Sequence, residues 1–406
     1  MVPLLNLATL PNGRQRRDPD RVFDRLQERA TASLHADPAL RRVCGDAGIQ
    51  ASLSDEDAAD FQHLVRSYAA AAPLTKLGWT MVLADLQMRL ANQLRIDALH
   101  RAIPAIGQEQ IVRPIVIVGL PRTASTVTQR VIARSEGHRA PQLSELMHPT
   151  FGLFPDEQRA KVREIESMMR LFRRLAPSMR VIHPQYAQAP DEDHLILPHG
   201  IQHASRVDMP DYLAWCRTRD ATGDYDYLKR VYQVLQHGAE PARWVIKAPC
   251  HLAHLDQIVR IFPDAVIVWL HRDPMTLMSS MCSLVETAQR VHVRRPDLHA
   301  IGRMCLTELS GWVTDAFNVR ADLAGQVRIV DVSYHDIVNN PFDRMPRLYE
   351  QIGAQWTGQD EANLGATIAR TTSRKHDHGP YRYGLDDTAL SDAFGPYMHS
   401  ELFLRR

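Results

Sequence analysis

Residues 115–126 read Ile-Val-Ile-Val-Gly-Leu-Pro-Arg-Thr-Ala-Ser-Thr, and no other stretch of this 406-residue chain limits the fold so sharply. Four β-branched apolar residues in a row suit a strand buried on both faces. A Gly-Leu-Pro turn follows, then small and hydroxyl-bearing residues, and then Val127, Val131 and Ile132 at helical spacing. Strand, tight loop and helix start, in that order, make an anion cradle, because loop and first-turn N–H groups lack intrahelical acceptors. Ser125 and Thr126 add hydroxyl donors, and Arg122 adds a planar cationic fork. The loop lacks the G-x-x-x-x-G-K-[ST] pattern of nucleoside triphosphatases, so a magnesium-bound triphosphate is not the first ligand to expect. An ordinary strand–turn–helix unit, with Ser and Thr only capping the helix, is the plainer alternative. Arg122 and the hydroxyl cluster exceed what a cap needs.

The rest of the chain places this unit in an α/β fold. Residues 244–247, 265–270 and 327–332 are short β-branched or aromatic runs and read as further strands. Helical patterns separate them: His251 to Phe262, two or more helices between Asp273 and Ala324, and others after Asp336 and Pro341. Asp273-Pro274 carries the N-cap and first-turn signature of a helix start. Alternating strands and helices predict a parallel sheet of four to five strands covered on both faces. Residues 1–105 read as a helical region packed on the core, with helices over 18–34, 55–71 and 74–100. The core is expected over 106–406. Within it, 141–240 reads as a helical cap forming part of a second-substrate pocket, and 370–406 as a loop-rich tail.

Composition narrows the function classes. The net charge is +1, which provides no global field for nucleic acid or an acidic membrane. The five cysteines are scattered with no C-x-x-C, which argues against a disulfide framework or a zinc site. No apolar run approaches the roughly 18–20 residues of a membrane span, and no basic stretch precedes the short apolar start. A cytoplasmic protein is expected.

A second anion site follows the strand at 265–270. Arg272 leaves its end, and Ser280 lies eight residues on, inside the next helix. Ligands of open α/β sheets sit outside the carboxyl ends of the strands, where both runs place their polar residues. Two anion sites on neighbouring strand ends suit a ligand with phosphates at both ends. His271-Arg272-Asp273 invites a protein-kinase reading, but the Gly-rich loop, strand lysine and Asp-Phe-Gly are missing. The plainer readings are a strand-end ion pair for Arg272, a helix contact for Ser280 and a snorkelling side chain for Lys247.

Together these runs resemble the sulfotransferases that use 3′-phosphoadenosine 5′-phosphosulfate (PAPS), in their bacterial-type branch. The loop Pro121-Arg122-Thr123-Ala124-Ser125-Thr126 is similar to that family's 5′-phosphosulfate loop, and Arg272 with Ser280 matches its Arg-x7-Ser element for the 3′-phosphate. Trp244-Val-Ile-Lys-Ala-Pro-Cys-His-Leu252 resembles the branch's Lys-Ser-Pro-x-His-Leu segment, and Phe262-Pro-Asp264 and His271-Arg-Asp-Pro274 also fit. The resemblance implies a P-loop-like sulfotransferase fold. It also implies PAPS as co-substrate, 3′-phosphoadenosine 5′-phosphate (PAP) as product, and transfer to a hydroxyl or amine of a small or lipid-like acceptor. Arg122, Thr123, Ala124, Ser125 and Thr126 would bind the 5′-phosphosulfate, and Arg272 and Ser280 the 3′-phosphate. Lys247 would stabilise the bridging oxygen, and Arg374-Lys375 would match a loosely similar tail segment that closes over the nucleotide. The general base would be Glu192, in a segment resembling a Pro-x-Glu element, or His251 just beyond Lys247. The bland reading of Glu192 and its acidic neighbours is a solvated face, and that of His251 a helix-start residue with satisfied hydrogen bonds.

One departure stands out: the family's loop glycine is Ala124 here, and the expectation is that the position needs only a small side chain. No carboxylate cluster suited to Mg²⁺ lies near either motif, and a singly charged sulfuryl group has less need of a metal than a phosphoryl group does. His183, His194, His199 and His203 lack the spacing of a metal site. The methionines and aromatics of 147–172 read as helical core in preference to an acceptor pocket. Two alternatives are a P-loop kinase of a small metabolite and a catalytically silent PAP-binding scaffold. Acceptor identity and oligomeric state, including a homo-oligomer, stay open.

Overall fold

The path of the chain, in a computed structural model, is described for residues 18–45, 48–71, 74–370 and 379–400. Three long helices come first, α1 (Pro19–Ala36), α2 (Asp55–Ala70) and α3 (Lys76–Ala102), with a short helix at Pro38–Cys44 between the first two. Each starts where the sequence supplies an oxygen for the orphaned first-turn N–H groups, from Asp18, Ser54 and Thr75 respectively. Then follow β1 (Ile115–Gly119), α4 (Ser125–Ile132), β2 (His138–Arg139), α5 (Pro155–Leu175), α6 (Thr222–Gln236) and β3 (Arg243–Lys247). The second half contains α7 (Leu255–Ile261), β4 (Val266–His271), α8 (Pro274–His292), α9 (Leu298–Asp322), β5 (Arg328–Ser333), α10 (Pro341–Ile352) and α11 (Gly358–Arg370), with shorter turns between.

The strands form one sheet in the order β2-β3-β1-β4-β5, and every pair is parallel. Successive residues of β1 face opposite sides, so its unbroken apolar run fills two cores. Val116 and Val118 join Ile246, Ile267 and Trp269 in the larger core, which also takes Phe61, Leu64, Trp79 and Leu86 of the N-terminal helices. Ile115 and Ile117 join Val131 and Ile132 of α4, with Met345 and Leu348 of α10, on the other face. The register pairs Ile117 with both Lys247 and Val268, and Gly119 with Leu270. The carboxyl ends of β3, β1 and β4 therefore open on one edge, which carries Lys247, the 119–126 loop and Arg272.

Three local readings need correction. The tail from 370 is not loop throughout, because Asp387–Met398 is a helix that buries Leu390, Phe394 and Tyr397. The strand β2 is only two residues long, too short to show a periodicity. The segment after Lys247 is not one helix from His251: Pro249–His254 is a 3₁₀ turn, and α7 starts at Leu255. Pro249 has no N–H to continue from the strand, and the tighter turn drives His251 and Leu252 into the core together. Among the described residues no helix is long and apolar enough to cross a membrane.

Candidate active site

The loop after β1 turns on three residues with positive φ. Gly119 (φ 137°) must be glycine, because a Cβ there would collide with the carbonyl of Leu270 on the neighbouring strand. Arg122 (φ 71°) and Ala124 (φ 68°, ψ 15°) are both left-handed, a conformation that costs an L-residue roughly 1–2 kcal/mol. The expectation that position 124 needs only a small side chain is thus overturned: its backbone adopts the geometry that favours glycine, and alanine bears the strain. Thr123 holds the turn from inside, its hydroxyl donating to the carbonyl of Leu120 at 2.8 Å. Helix α4 has no side-chain N-cap, so its first-turn N–H groups, with the Ser125 and Thr126 hydroxyls, face the loop.

Two guanidinium groups converge on this loop. Arg272 leaves β4, donates to the carbonyl of Arg122 at 2.5 Å, and stacks on the Tyr334 ring at 3.9 Å. Arg122 donates to the carbonyl of Ile182 at 2.9 Å. Burial, and then the neighbouring Arg272, push the Arg122 pKa down. Neither arginine has an ion-pair partner among the described residues. Ser280 lies two turns into α8, 8% exposed, and its hydroxyl is buried with no hydrogen-bond partner. Two unneutralised cations and an orphaned donor form a site with an excess of donors, which an anionic ligand would complete. The chain returns to α8 beyond Ser280, where Arg382 and Tyr383 both bond Glu286, at 2.7 and 2.8 Å. Arg374 and Lys375 lie outside the described residues.

Lys247, at the end of β3, is 1% exposed. Its Nζ donates to Glu192 Oε1 at 2.7 Å and to Thr126 Oγ1 at 3.3 Å, so it joins the loop to the cap. The segment around Glu192 is not a solvated face. Asp191 and Asp193 are buried, and three consecutive carboxylates each serve a different partner. Asp191 faces His183 at 3.6 Å. Glu192 also accepts from His194 Nδ1, at 3.1 Å. Asp193 accepts the Lys247 backbone N–H at 2.9 Å and the Tyr232 hydroxyl at 2.7 Å, and meets His251 Nε2 at 3.3 Å. The other ring nitrogen of His251 meets the Tyr225 hydroxyl at 3.0 Å, so this fully buried imidazole has both nitrogens engaged inside the protein.

Burial works to raise the Glu192 carboxyl, but Lys247, His194 and His183 hold it well below the usual glutamate range. Burial likewise works to lower His183, and Asp191 outweighs it, so that imidazole's pKa is raised. Asp191, Asp193, His183 and His194 were not singled out as site residues from the sequence. The signal available was the run Asp-Glu-Asp-His at 191–194, whose partners Tyr232, Lys247 and His251 lie far away in the chain. Among the described residues no three histidines, cysteines or carboxylates come together as a metal site. A cavity of about 440 Å³ lies elsewhere, between α6, α9 and the 3₁₀ turn, and contains none of the loop residues.

A parallel sheet with a donor-rich loop after its central strand, an unpaired arginine after the neighbouring strand and a buried lysine at the end of a third defines an α/β protein whose candidate site lies at the carboxyl edge of the sheet. Residues 114–358 match the sulfotransferase family, and the chain belongs to it. The omega-hydroxy-beta-dihydromenaquinone-9 sulfotransferases Stf3 of Mycobacterium bovis and Mycobacterium tuberculosis are each 22% identical to it over 261 residues. That alignment covers 59% of this chain and 62% of each relative, so the chain spans about three fifths of their length. Among solved structures, sulfotransferase STF9 from Mycobacterium avium superposes with a TM-score of 0.76 at 24% identity, covering 93% of this chain and 95% of that one. Sulfotransferase STF1 from Mycobacterium tuberculosis gives 0.73 at 22% identity, covering 92% and 98%. The fold is that of these enzymes.

Proposed function

We propose that this chain transfers the sulfuryl group of PAPS to a hydroxyl on an apolar, lipid-like acceptor. The observation that carries the proposal is the pairing of Arg122 and Arg272, both without a carboxylate partner, with the orphaned Ser280 hydroxyl on the adjacent strand's helix. A nucleotide with phosphate groups at the 3′ and 5′ positions supplies both ends with acceptors. Arg272 and Ser280 would take the 3′-phosphate. The first-turn N–H groups of α4, with Arg122, Ser125 and Thr126, would take the 5′-phosphosulfate. Thr123 and Ala124 contribute through the loop backbone.

Transfer is an in-line displacement at sulfur, in which the acceptor oxygen bonds to sulfur as the bond to the bridging oxygen breaks. Negative charge grows on that oxygen, and donors already aimed there lower the barrier. Lys247 is the cation at hand, and its bond to Thr126 already ties it to the loop. Its shift from Glu192 to the donor would remove the main charge that depresses the Glu192 pKa and leave that carboxylate free to accept the acceptor's proton. Glu192 is therefore the base in this reading. His251, fully buried with both ring nitrogens engaged, acts on Asp193 and the end of β3, not on substrate.

The lipid-like acceptor is supported from two sides. The relatives Stf3 are named for a hydroxylated menaquinone. Met88 and Met147 pack with Met169 of α5 and with Leu195 just beyond Glu192, and such side chains adapt to irregular apolar ligands. The test is a thermal-shift comparison of PAP, ATP with Mg²⁺ and adenosine 5′-phosphate. A ligand at a hundredfold excess over its Kd stabilises by about 2.7 kcal/mol. PAP should stabilise most, and Arg272→Ala should abolish the preference for PAP over adenosine 5′-phosphate. Arg122→Ala should nearly abolish turnover of labelled PAPS. Preference for ATP with Mg²⁺ would replace this reading with that of a kinase, and PAP binding without turnover on any acceptor with that of a silent scaffold.

A further inference from the structure

Helix α5 has one face inside the protein and one outside. Val162, Ile165, Met169 and Phe172 recur at helical spacing and pack inward, against Leu143 and Met147 at one end and Met179 and Val291 at the other. Arg163, Ser167, Arg170, Leu171 and Arg174 form the opposite stripe, and all are exposed. Leu171 is 54% exposed, and Met168 at the margin of the stripe is 40% exposed. Arg180, on the short helix that follows, is exposed too.

The charge on this face is one-sided. Among the described residues, Arg163, Arg170, Arg174 and Arg180 form no ion pair. Among the described side chains of α5 the one exposed carboxylate, Glu164, is paired with Lys161 at 3.6 Å. Glu166 is turned inward, where it accepts the Ala187 N–H at 2.9 Å and faces Arg173 at 3.6 Å. An ordinary solvated helix mixes both signs and hides its large apolar side chains. Here Arg163, Arg170 and Arg174, none of them in an ion pair, line one side of the exposed Leu171 and Met168, and Arg180 follows on the next helix, an arrangement that suits a helix lying on a charged interface. The face is also linked to the site in the chain: the short helix Met179–Ile182 that follows α5 ends on the carbonyl that holds Arg122.

We propose that the outer face of α5 docks on an anionic lipid surface, with Met168 and Leu171 entering the headgroup layer and the four arginines meeting lipid phosphates. The proposal goes beyond the sulfotransfer reading and stands without it, since binding is read in the absence of turnover. Each cation held near an anionic bilayer strengthens partitioning roughly fivefold at low salt, so the surface is reversible and sensitive to ionic strength.

The test is co-sedimentation of the full chain with vesicles of phosphatidylcholine alone and of phosphatidylcholine mixed with phosphatidylglycerol. The chain should bind the mixed vesicles, not the neutral ones, and release at high salt. The double variant Arg170→Gln/Arg174→Gln should bind about twenty-fivefold more weakly, and Leu171→Ser should also weaken binding, each with an unchanged thermal melt. Equal binding to neutral vesicles, or wild-type binding by the double variant, overturns the proposal. So does duplex DNA that competes the chain off the vesicles and is itself bound more tightly than they are, because the arginines would then serve a nucleic acid. Self-association of the wild type that the double variant abolishes, with no vesicle binding, assigns the face to a second copy and likewise overturns it.

Discussion

The Lys247–Glu192 pair gives the sharpest test of the site, because ligand-induced stabilisation and turnover respond to its loss in opposite directions. Lys247 is 1% exposed and the Glu192 side chain 13%, so the pair is shielded from water. Removing one partner of a buried pair strands the other charge, at a cost of about 3–5 kcal/mol. The remaining access to Glu192 puts Glu192→Gln at the low end, about 3 kcal/mol. Lys247→Met in the same background removes the stranded charge, so the double variant should regain most of that loss. PAP should act similarly, since its phosphate takes the lysine that Glu192 has given up. Ligand-induced stabilisation should therefore be larger in Glu192→Gln than in wild type, while turnover falls by orders of magnitude. The pH dependence has a definite sign. Because the folded Glu192 pKa is depressed, its contribution is fully present above the unfolded value near 4.5 and is lost as pH falls through the lower folded value. Wild type should lose stability in that acid range, and Glu192→Gln should lose less. Urea denaturation of the four members of the cycle, with and without PAP, measures all of this. A loss below about 1 kcal/mol in Glu192→Gln would place the pair with ordinary solvent-exposed ones. Additive losses in the double variant would mean that the two side chains are not coupled. Either result would refute the partner-exchange argument.

Three further outcomes are expected. Ser280→Ala should weaken PAP binding roughly tenfold or more, the value of a hydrogen bond to a charged group, without lowering the stability of the free protein, as calorimetry with PAP and denaturant melts would show. Ala124→Gly should stabilise the protein by up to about 1 kcal/mol, the left-handed strain relieved less the entropy that glycine loses, and lower stability in urea would contradict the positive φ. The His183–Asp191 contact should stabilise most below the unfolded histidine value near 6.5 and fade as pH rises through the raised folded value. Asp191→Asn should bring the His183 titration, followed by NMR, back towards 6.5 or below.

The local parts of the site were legible in the sequence, because each is built by neighbours. The strand at 115–118 needs only its own β-branched side chains, and Asp273-Pro274 starts α8 with its own oxygen, the Asp273 carboxylate accepting from Met275. The Arg272–Ser280 spacing spans one strand end and two helical turns. Reading failed where a short element has no period, as in β2, and where a proline altered the local winding, as at 249–254. It also failed for Asp191 and Asp193, since an acidic tripeptide has the same composition on a wet surface as in a core.

What the sequence determined by itself is the α/β class and the strand–loop–helix unit at 115–132, since backbone propensity, burial pattern and helix-end electrostatics act over a few residues. What only the tertiary structure decided is which charges meet. Lys247 and Glu192 are 55 residues apart, and Arg122 and Arg272 are 150 apart, joined through a single carbonyl. The parallel register placed them together, and in the loop beyond it Ala124 is left-handed. Long-range pairing of charges depends on how the whole core closes, and a sum over separate segments does not contain it.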